Sequence, residues 1–171
     1  DRDVHPRELL AELSRSVVGQ AQALETLLLG LVAGGHILLE GPPGVAKTFA
    51  CRTLAGACAL SFKRIQCTPD LQPSDCTGMR VFDRRTAQFR THFGPLFAHI
   101  VLVDELNRAP ARMQSAFLEA MGERIVTIGP ETHDLPAPFF LIATMNPYDA
   151  EGTSTLSQAQ TDRFLARVSL D

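Results

Sequence analysis

Lys47 and Thr48 stand side by side behind the run Gly41-Pro42-Pro43-Gly44-Val45-Ala46. This spacing follows the phosphate-cradling pattern Gly-x-x-x-x-Gly-Lys-Ser/Thr. Gly41 and Gly44 let the backbone turn tightly and bring its N–H groups to phosphate oxygens. A helix opening at the end of the loop adds partial positive charge. Lys47 then reaches the β- and γ-phosphates, and the Thr48 hydroxyl is a Mg²⁺ ligand. Ala46 departs from the pattern, which has glycine there. Its methyl group is tolerable in right-handed helical backbone and harmful at positive φ. A glycine-proline turn before a helix is the plain alternative, but Lys-Thr at this offset behind a strand argues against it.

Three further groups have the chemistry to complete such a site. Ile100-Val101-Leu102-Val103 is an apolar strand ending in Asp104-Glu105. In open α/β sheets ligands sit outside the carboxyl ends of the strands, so this acidic end belongs beside the loop. Asp104 is suited to hold Mg²⁺ through water, and Glu105 to polarise an attacking water. A second apolar strand, residues 139–144, runs into Met145-Asn146-Pro147, where the Asn146 amide is suited to orient that water; Asn-Pro is otherwise a turn starter. Arg163, in Asp162-Arg163-Phe164, has two readings: a cation at a helix C-terminus, or a finger on the γ-phosphate of a neighbouring subunit. Such fingers contribute about 10³–10⁵ in rate.

The elements around these residues alternate between helix and strand, as in an α/β layered fold. Helices are expected over 21–33, 47–57, 110–123 and 156–164. Met113, Ala116, Phe117, Ala120 and Met121 share one face of the third. Strands are expected over 36–40, 62–66, 99–104, 139–144 and 166–170. Residues 67–79, rich in Pro, Asp, Ser and Thr, read as loop. A hairpin is expected within 80–93 with its tip at 83–87, and a second with arms 125–128 and 133–135 around Gly129-Pro130-Glu131. No repeat or low-complexity segment interrupts the pattern.

The 171 residues suffice for one domain with a sizeable core. A 45 % apolar and 20 % charged composition is that of an ordinary globular protein. A net charge of −3 leaves no global basic footprint for nucleic acid. No apolar run approaches the roughly 20 residues that span a bilayer, and no signal peptide is visible. Cys51, Cys58, Cys67 and Cys76 have neither Cys-x-x-Cys nor zinc-finger spacing and read as free thiols in a reducing cytoplasm.

Taken together the motifs resemble the MoxR family of AAA+ ATPases. The resemblance runs through Val17-Val18-Gly19-Gln20, the loop Gly41 to Thr48 with its alanine, and Thr68-Pro69-Asp70-Leu71-Gln72-Pro73-Ser74-Asp75. It continues through Gly94-Pro95-Leu96-Phe97, Asp104-Glu105-Leu106-Asn107-Arg108-Ala109-Pro110 and Gln114-Ser115-Ala116-Phe117-Leu118-Glu119-Ala120-Met121. Ala143-Thr144-Met145-Asn146-Pro147 and Asp162-Arg163-Phe164 complete it. It implies a P-loop AAA+ fold, a five-stranded parallel sheet in the order 5-1-4-3-2 flanked by helices. It also implies a helix-2 insert over about 78–95 and a hairpin over 125–135 before the sensor-1 strand.

By the same resemblance, Val18 and Gly19 lie at the adenine pocket and Asn146 is the sensor-1 residue. Gly41, Pro42, Pro43, Gly44, Val45, Ala46, Lys47 and Thr48 hold ATP, with Mg²⁺ on Thr48 and Asp104. Arg163 becomes the trans-acting finger of a ring, commonly a hexamer. The partners implied are proteins with von Willebrand factor A domains, and the work implied is chaperone-like remodelling of protein complexes. The family's C-terminal helical lid has no counterpart before Asp171, so residues 1–171 read as an ATPase core whose isolated turnover is weak. Thr153-Ser154-Thr155-Leu156-Ser157 departs from the aromatic and proline often found there.

A DNA-acting motor is the alternative, motivated by Arg80, Arg84, Arg85 and Arg90 in the insert. A nucleotide-binding regulator without turnover is disfavoured by the full set Lys47, Thr48, Asp104, Glu105 and Asn146. A GTPase is disfavoured because no Asn-Lys-x-Asp element is present to read guanine, and a small-molecule kinase would not need the Asn146 and Arg163 pair.

Overall fold

A computed structural model of the chain describes residues 21–41, 45–146 and 156–169. The elements in chain order are α1 (Ala21–Ala33), β1 (Ile37–Glu40), α2 (Val45–Ala57), β2 (Phe62–Gln66), α3 (Pro73–Thr77), β3 (Gly78–Asp83) and β4 (Gln88–Phe93). They continue with β5 (Ile100–Asp104), a 3₁₀ turn (Leu106–Arg108), α4 (Ala111–Glu123), β6 (Ile125–Ile128), β7 (Glu131–Asp134), β8 (Phe140–Met145), α5 (Gln158–Thr161) and β9 (Ala166–Ser169).

Five strands form one parallel sheet in the order β2-β5-β8-β1-β9. Numbered among themselves along the chain and read from the β9 edge, they run 5-1-4-3-2, the expected order. Both faces of this sheet are covered, which is why its central strands are unbroken apolar runs. The two-residue side-chain period divides them cleanly. Ile37, Leu39, Ile100, Leu102, Phe140 and Ile142 pack on Leu24 and Leu27 of α1 and on Ala50, Cys51 and Leu54 of α2. Leu38, Val101, Val103, Leu141 and Ala143 face the other way, onto Met113, Phe117 and Met121 of α4. The sheet is therefore held rigidly from both sides, and its carboxyl rim is a fixed platform.

The two expected hairpins are present as separate two-stranded ribbons, β3-β4 and β6-β7. The first opens at Gly78, whose φ of +99° and close approach to the opposite strand leave no room for a side chain: a Cβ would lie 2.0 Å from the His92 carbonyl oxygen. At its tip the Asp83 carboxylate accepts from the Arg85 backbone N–H at 2.9 Å. The ribbons lean on each other through Phe93 against His133 and through Arg80 with Glu131 at 3.6 Å.

Three expectations need correction. The stretch 67–79 is not all loop. Asp75 accepts from the Gln72 backbone N–H at 2.8 Å, Pro73 opens the turn, and Cys76 is buried beneath it, so a short helix forms before β3 begins at Gly78. The expected helix over 156–164 shrinks to Gln158–Thr161. After it the Arg163 and Phe164 N–H groups bond three residues back, and the Leu165 N–H bonds to the His36 carbonyl at 2.7 Å, which draws the chain into β9. The arm expected at 133–135 starts earlier, at Glu131, because Gly129 at φ +62° with Pro130 makes a two-residue turn. Among the described residues no helix is long and apolar enough to cross a membrane.

Candidate active site

Parallel pairing puts all the carboxyl ends of the strands on one rim. Gln66 pairs with Asp104, Val103 with Ala143 and Glu40 with Met145, so the chain leaves the sheet at adjacent points toward Gly41, Glu105 and Asn146. The sequence-predicted groups Gly41, Lys47, Thr48, Asp104, Glu105 and Asn146 converge there around a cleft of about 440 Å³. Val18, Gly19, Pro42, Pro43 and Gly44 lie outside the described residues. Val45 and Ala46 are the first residues of α2. Right-handed helical backbone at Ala46 removes the objection to a methyl group in the loop.

Lys47 is buried to 8 % exposure, and its Nζ donates to the Gly41 carbonyl at 2.8 Å. Burial lowers the Lys47 pKa, while the Asp104 carboxylate pulls it upward. The α2 N-terminus adds its own partial positive charge at the same place. Glu40, just before the loop, is also nearly buried and pairs with Arg167 of β9 at 2.6 Å, which ties the strand ahead of the loop to its neighbour.

The acidic end of β5 is held by a web of bonds. The Thr144 hydroxyl donates to Asp104 Oδ1 at 2.5 Å and accepts from the Glu105 backbone N–H at 2.9 Å. Arg64 of β2 grips Asp104 Oδ2 with Nη2 at 2.6 Å and Nε at 3.1 Å. Glu105 has φ 57° and ψ 51°. This left-handed conformation costs roughly 1–2 kcal/mol for a residue with a Cβ. Its Oε2 accepts from Gln66 Nε2 and from Arg108 Nη1, both at 3.1 Å. Strand β5 and the sharp turn after it thus send the two carboxylates in different directions on one rim.

Arg163 is not in this cleft. It is exposed, lines a second cleft with Ser115, Glu119 and Glu123 of α4, and donates from Nη1 to the Leu118 carbonyl at 3.1 Å. Arg64, Gln66 and Thr144 were missed by sequence reasoning. The faint signal for the first two is Arg64-Ile65-Gln66, in which Ile65 is buried and its neighbours are turned outward. Only the pairing of β2 with β5 gives that alternation a meaning.

The donor set fits a phosphate ligand carrying a hard divalent cation. Lys47 and the helix N-terminus supply positive charge, and Thr48 and Asp104 supply oxygen donors. Among the described residues no group of three or more His, Cys, Asp and Glu is placed to hold a metal alone. A cation here would take its remaining ligands from water and from the phosphates, as Mg²⁺ does.

Comparison with known proteins bears on this geometry. Residues 36–166 match the profile described as ATPase family associated with various cellular activities (AAA). The chain is 48 % identical to Chaperone MoxR1 of Mycobacterium tuberculosis over 98 % of its own length and 45 % of that protein. It is 28 % identical to Protein MoxR of Methylorubrum extorquens, over 94 % of this chain and 48 % of the relative. A crystal structure from Cytophaga hutchinsonii, of a chain assigned as an ATPase, superposes with a TM-score of 0.88 at 47 % identity. The match covers 96 % of this chain and 50 % of the other. The chain therefore spans about half the length of the curated relatives it matches. With its 5-1-4-3-2 sheet, its phosphate-loop lysine and threonine and its two hairpins, the chain belongs to the MoxR family of AAA+ ATPases.

Proposed function

We propose that this chain is the catalytic core of an ATP-hydrolysing machine that remodels or matures protein complexes. The observation that carries the reading is the convergence of Lys47, Thr48, Asp104, Glu105 and Asn146 on one rim of the sheet. ATP is the substrate and Mg²⁺ its companion, held by Thr48 and Asp104; bound there, the cation would neutralise charge on the β- and γ-phosphates. Lys47 holds the phosphates. Glu105 orients and polarises the water, and its strained backbone, anchored through Thr144, fixes the carboxylate in place. The Asn146 amide lines the same cleft and helps to align that water.

Arg163, exposed and away from this cleft, suits a role on a neighbouring subunit's nucleotide in a ring of six. A protein with a von Willebrand factor A domain is the proposed partner. The cytoplasm is the proposed compartment, in keeping with four free thiols, three of them buried. The DNA-motor alternative is weakened by the insert itself: Arg80 pairs with Glu131 and lies over the Phe89 ring, and Arg90 pairs with Asp83.

Nucleotide binding by wild type and Lys47→Ala tests the reading. Wild-type protein should bind Mg·ATP and release phosphate, and Lys47→Ala should bind at least about tenfold more weakly, given the roughly 1.5–3 kcal/mol of a hydrogen bond to a charged group. Equal affinity in the two proteins would remove Lys47 from the site and, with it, the phosphate-loop assignment.

A further inference from the structure

We infer that Arg64 is a tethered counter-cation that holds Asp104 until a divalent metal arrives with nucleotide, so that metal binding and release of Arg64 are one exchange. This rests on the reading of the cleft as an ATP site. A carboxylate offers about four lone-pair positions. Arg64 uses both on Oδ2, with bonds of 2.6 and 3.1 Å, and the Thr144 hydroxyl takes one on Oδ1 at 2.5 Å. A hard cation approaching Asp104, directly or through a bound water, therefore meets a guanidinium already seated on the same group.

The guanidinium does not lose its charge, so it must move rather than deprotonate. It has room to do so. The Arg64 side chain is 45 % exposed, lines the cleft, and is otherwise tied only to Gln66 Oε1 among the bonds described. Nor is the bridge needed to join the strands, since β2 and β5 are already paired along Phe62–Gln66. Lys47 Nζ donates to the Gly41 carbonyl, and among the described residues Arg64 is seated directly on the Asp104 carboxylate.

The exchange has a signature with opposite signs. With chelator present, Arg64 neutralises Asp104 in front of the phosphates, so Arg64→Gln should weaken metal-free nucleotide binding. With Mg²⁺ present, the same substitution removes the competitor and should tighten the metal's half-saturation. The ratio of nucleotide Kd without metal to Kd with Mg²⁺ should rise about three- to tenfold, the scale of a partly exposed charge pair with two hydrogen bonds. A simple loss of structure would move both constants the same way.

The measurement is equilibrium binding of a fluorescent, non-hydrolysable ATP analogue, in EDTA and across a Mg²⁺ titration. It compares wild type, Arg64→Gln, Arg64→Lys and the pair Asp104→Asn with and without Arg64→Gln. Arg64→Lys, which keeps the charge, should stay near the wild-type ratio, and Arg64→Gln should have no effect on the ratio in the Asp104→Asn background. An Arg64→Gln ratio within twofold of wild type, or equal weakening with and without metal, overturns the exchange. Wild-type protein that binds the analogue under neither condition overturns the ATP reading and this inference together, whereas binding by wild type with an Arg64→Gln ratio that matches it overturns only this inference.

Discussion

Replacing Thr144 by valine keeps the shape of a buried side chain, 3 % exposed, and removes one hydroxyl that bonds both the Asp104 carboxylate and the Glu105 backbone. The backbone N–H of Glu105 loses its acceptor at 2.9 Å, and Asp104 Oδ1 loses a donor at 2.5 Å. A neutral hydrogen bond contributes about 0.5–1.5 kcal/mol and one to a charged group about 1.5–3. Water can reach Asp104, whose side chain is 20 % exposed, and offsets part of the second loss. The expected destabilisation is therefore about 1–3 kcal/mol, or a fall in Tm of ~2–12 °C for a domain of this size.

The larger effect falls on turnover, because Thr144 is also what anchors Glu105 in its left-handed conformation. A displacement of the reacting group by about 1 Å costs on the order of 10²-fold in rate. Thermal melts paired with phosphate release on wild type, Thr144→Val and Thr144→Ser would read both effects. Serine retains the hydroxyl and should recover most of the turnover. A valine variant with wild-type turnover and wild-type Tm would refute the idea that this hydroxyl organises the acidic end of β5.

His36 is buried, accepts from the Leu141 N–H through Nδ1 at 3.0 Å and contacts the Met121 carbonyl through Nε2 at 3.2 Å; burial lowers its pKa from 6.5 to about 4. Between those values the unfolded chain binds a proton that the folded chain does not, so stability is full above about pH 6.5 and falls as pH drops toward 4, by up to about 3 kcal/mol. Tm against pH should lose this slope in His36→Asn. For Arg163, mixing Arg163→Ala subunits with Lys47→Ala subunits should restore part of the hydrolysis that each lacks alone, since some mixed interfaces combine an intact loop with an intact arginine; no recovery would count against a trans-acting role.

What was legible from sequence is what local pattern encodes. The loop at Gly41 to Thr48, the apolar strand ending in Asp104-Glu105 and the strand ending near Asn146 each carry their signal within a few residues. Their convergence followed from the rule that ligands sit at the carboxyl ends of parallel strands. Arg64, Gln66 and Thr144 were not legible, because their roles depend on which strand lies beside which: Arg64 reaches across forty residues of chain to Asp104. The short helix Pro73–Thr77 was hidden because Pro, Ser and Asp signal a loop and a helix start alike. The helix over 156–164 was overextended because its apolar spacing does not reveal that Leu165 is drawn to His36 to begin β9.

The role proposed for Glu105 is to activate water in a site that binds ATP without it. Single-turnover hydrolysis of radiolabelled ATP by the assembled protein, wild type against Glu105→Gln, tests this most directly. The variant should retain Mg·ATP within a few-fold of wild-type affinity while its hydrolysis rate falls by about 10²–10⁴, the usual contribution of a general base. Hydrolysis at the wild-type rate by Glu105→Gln, with ATP bound, would contradict it.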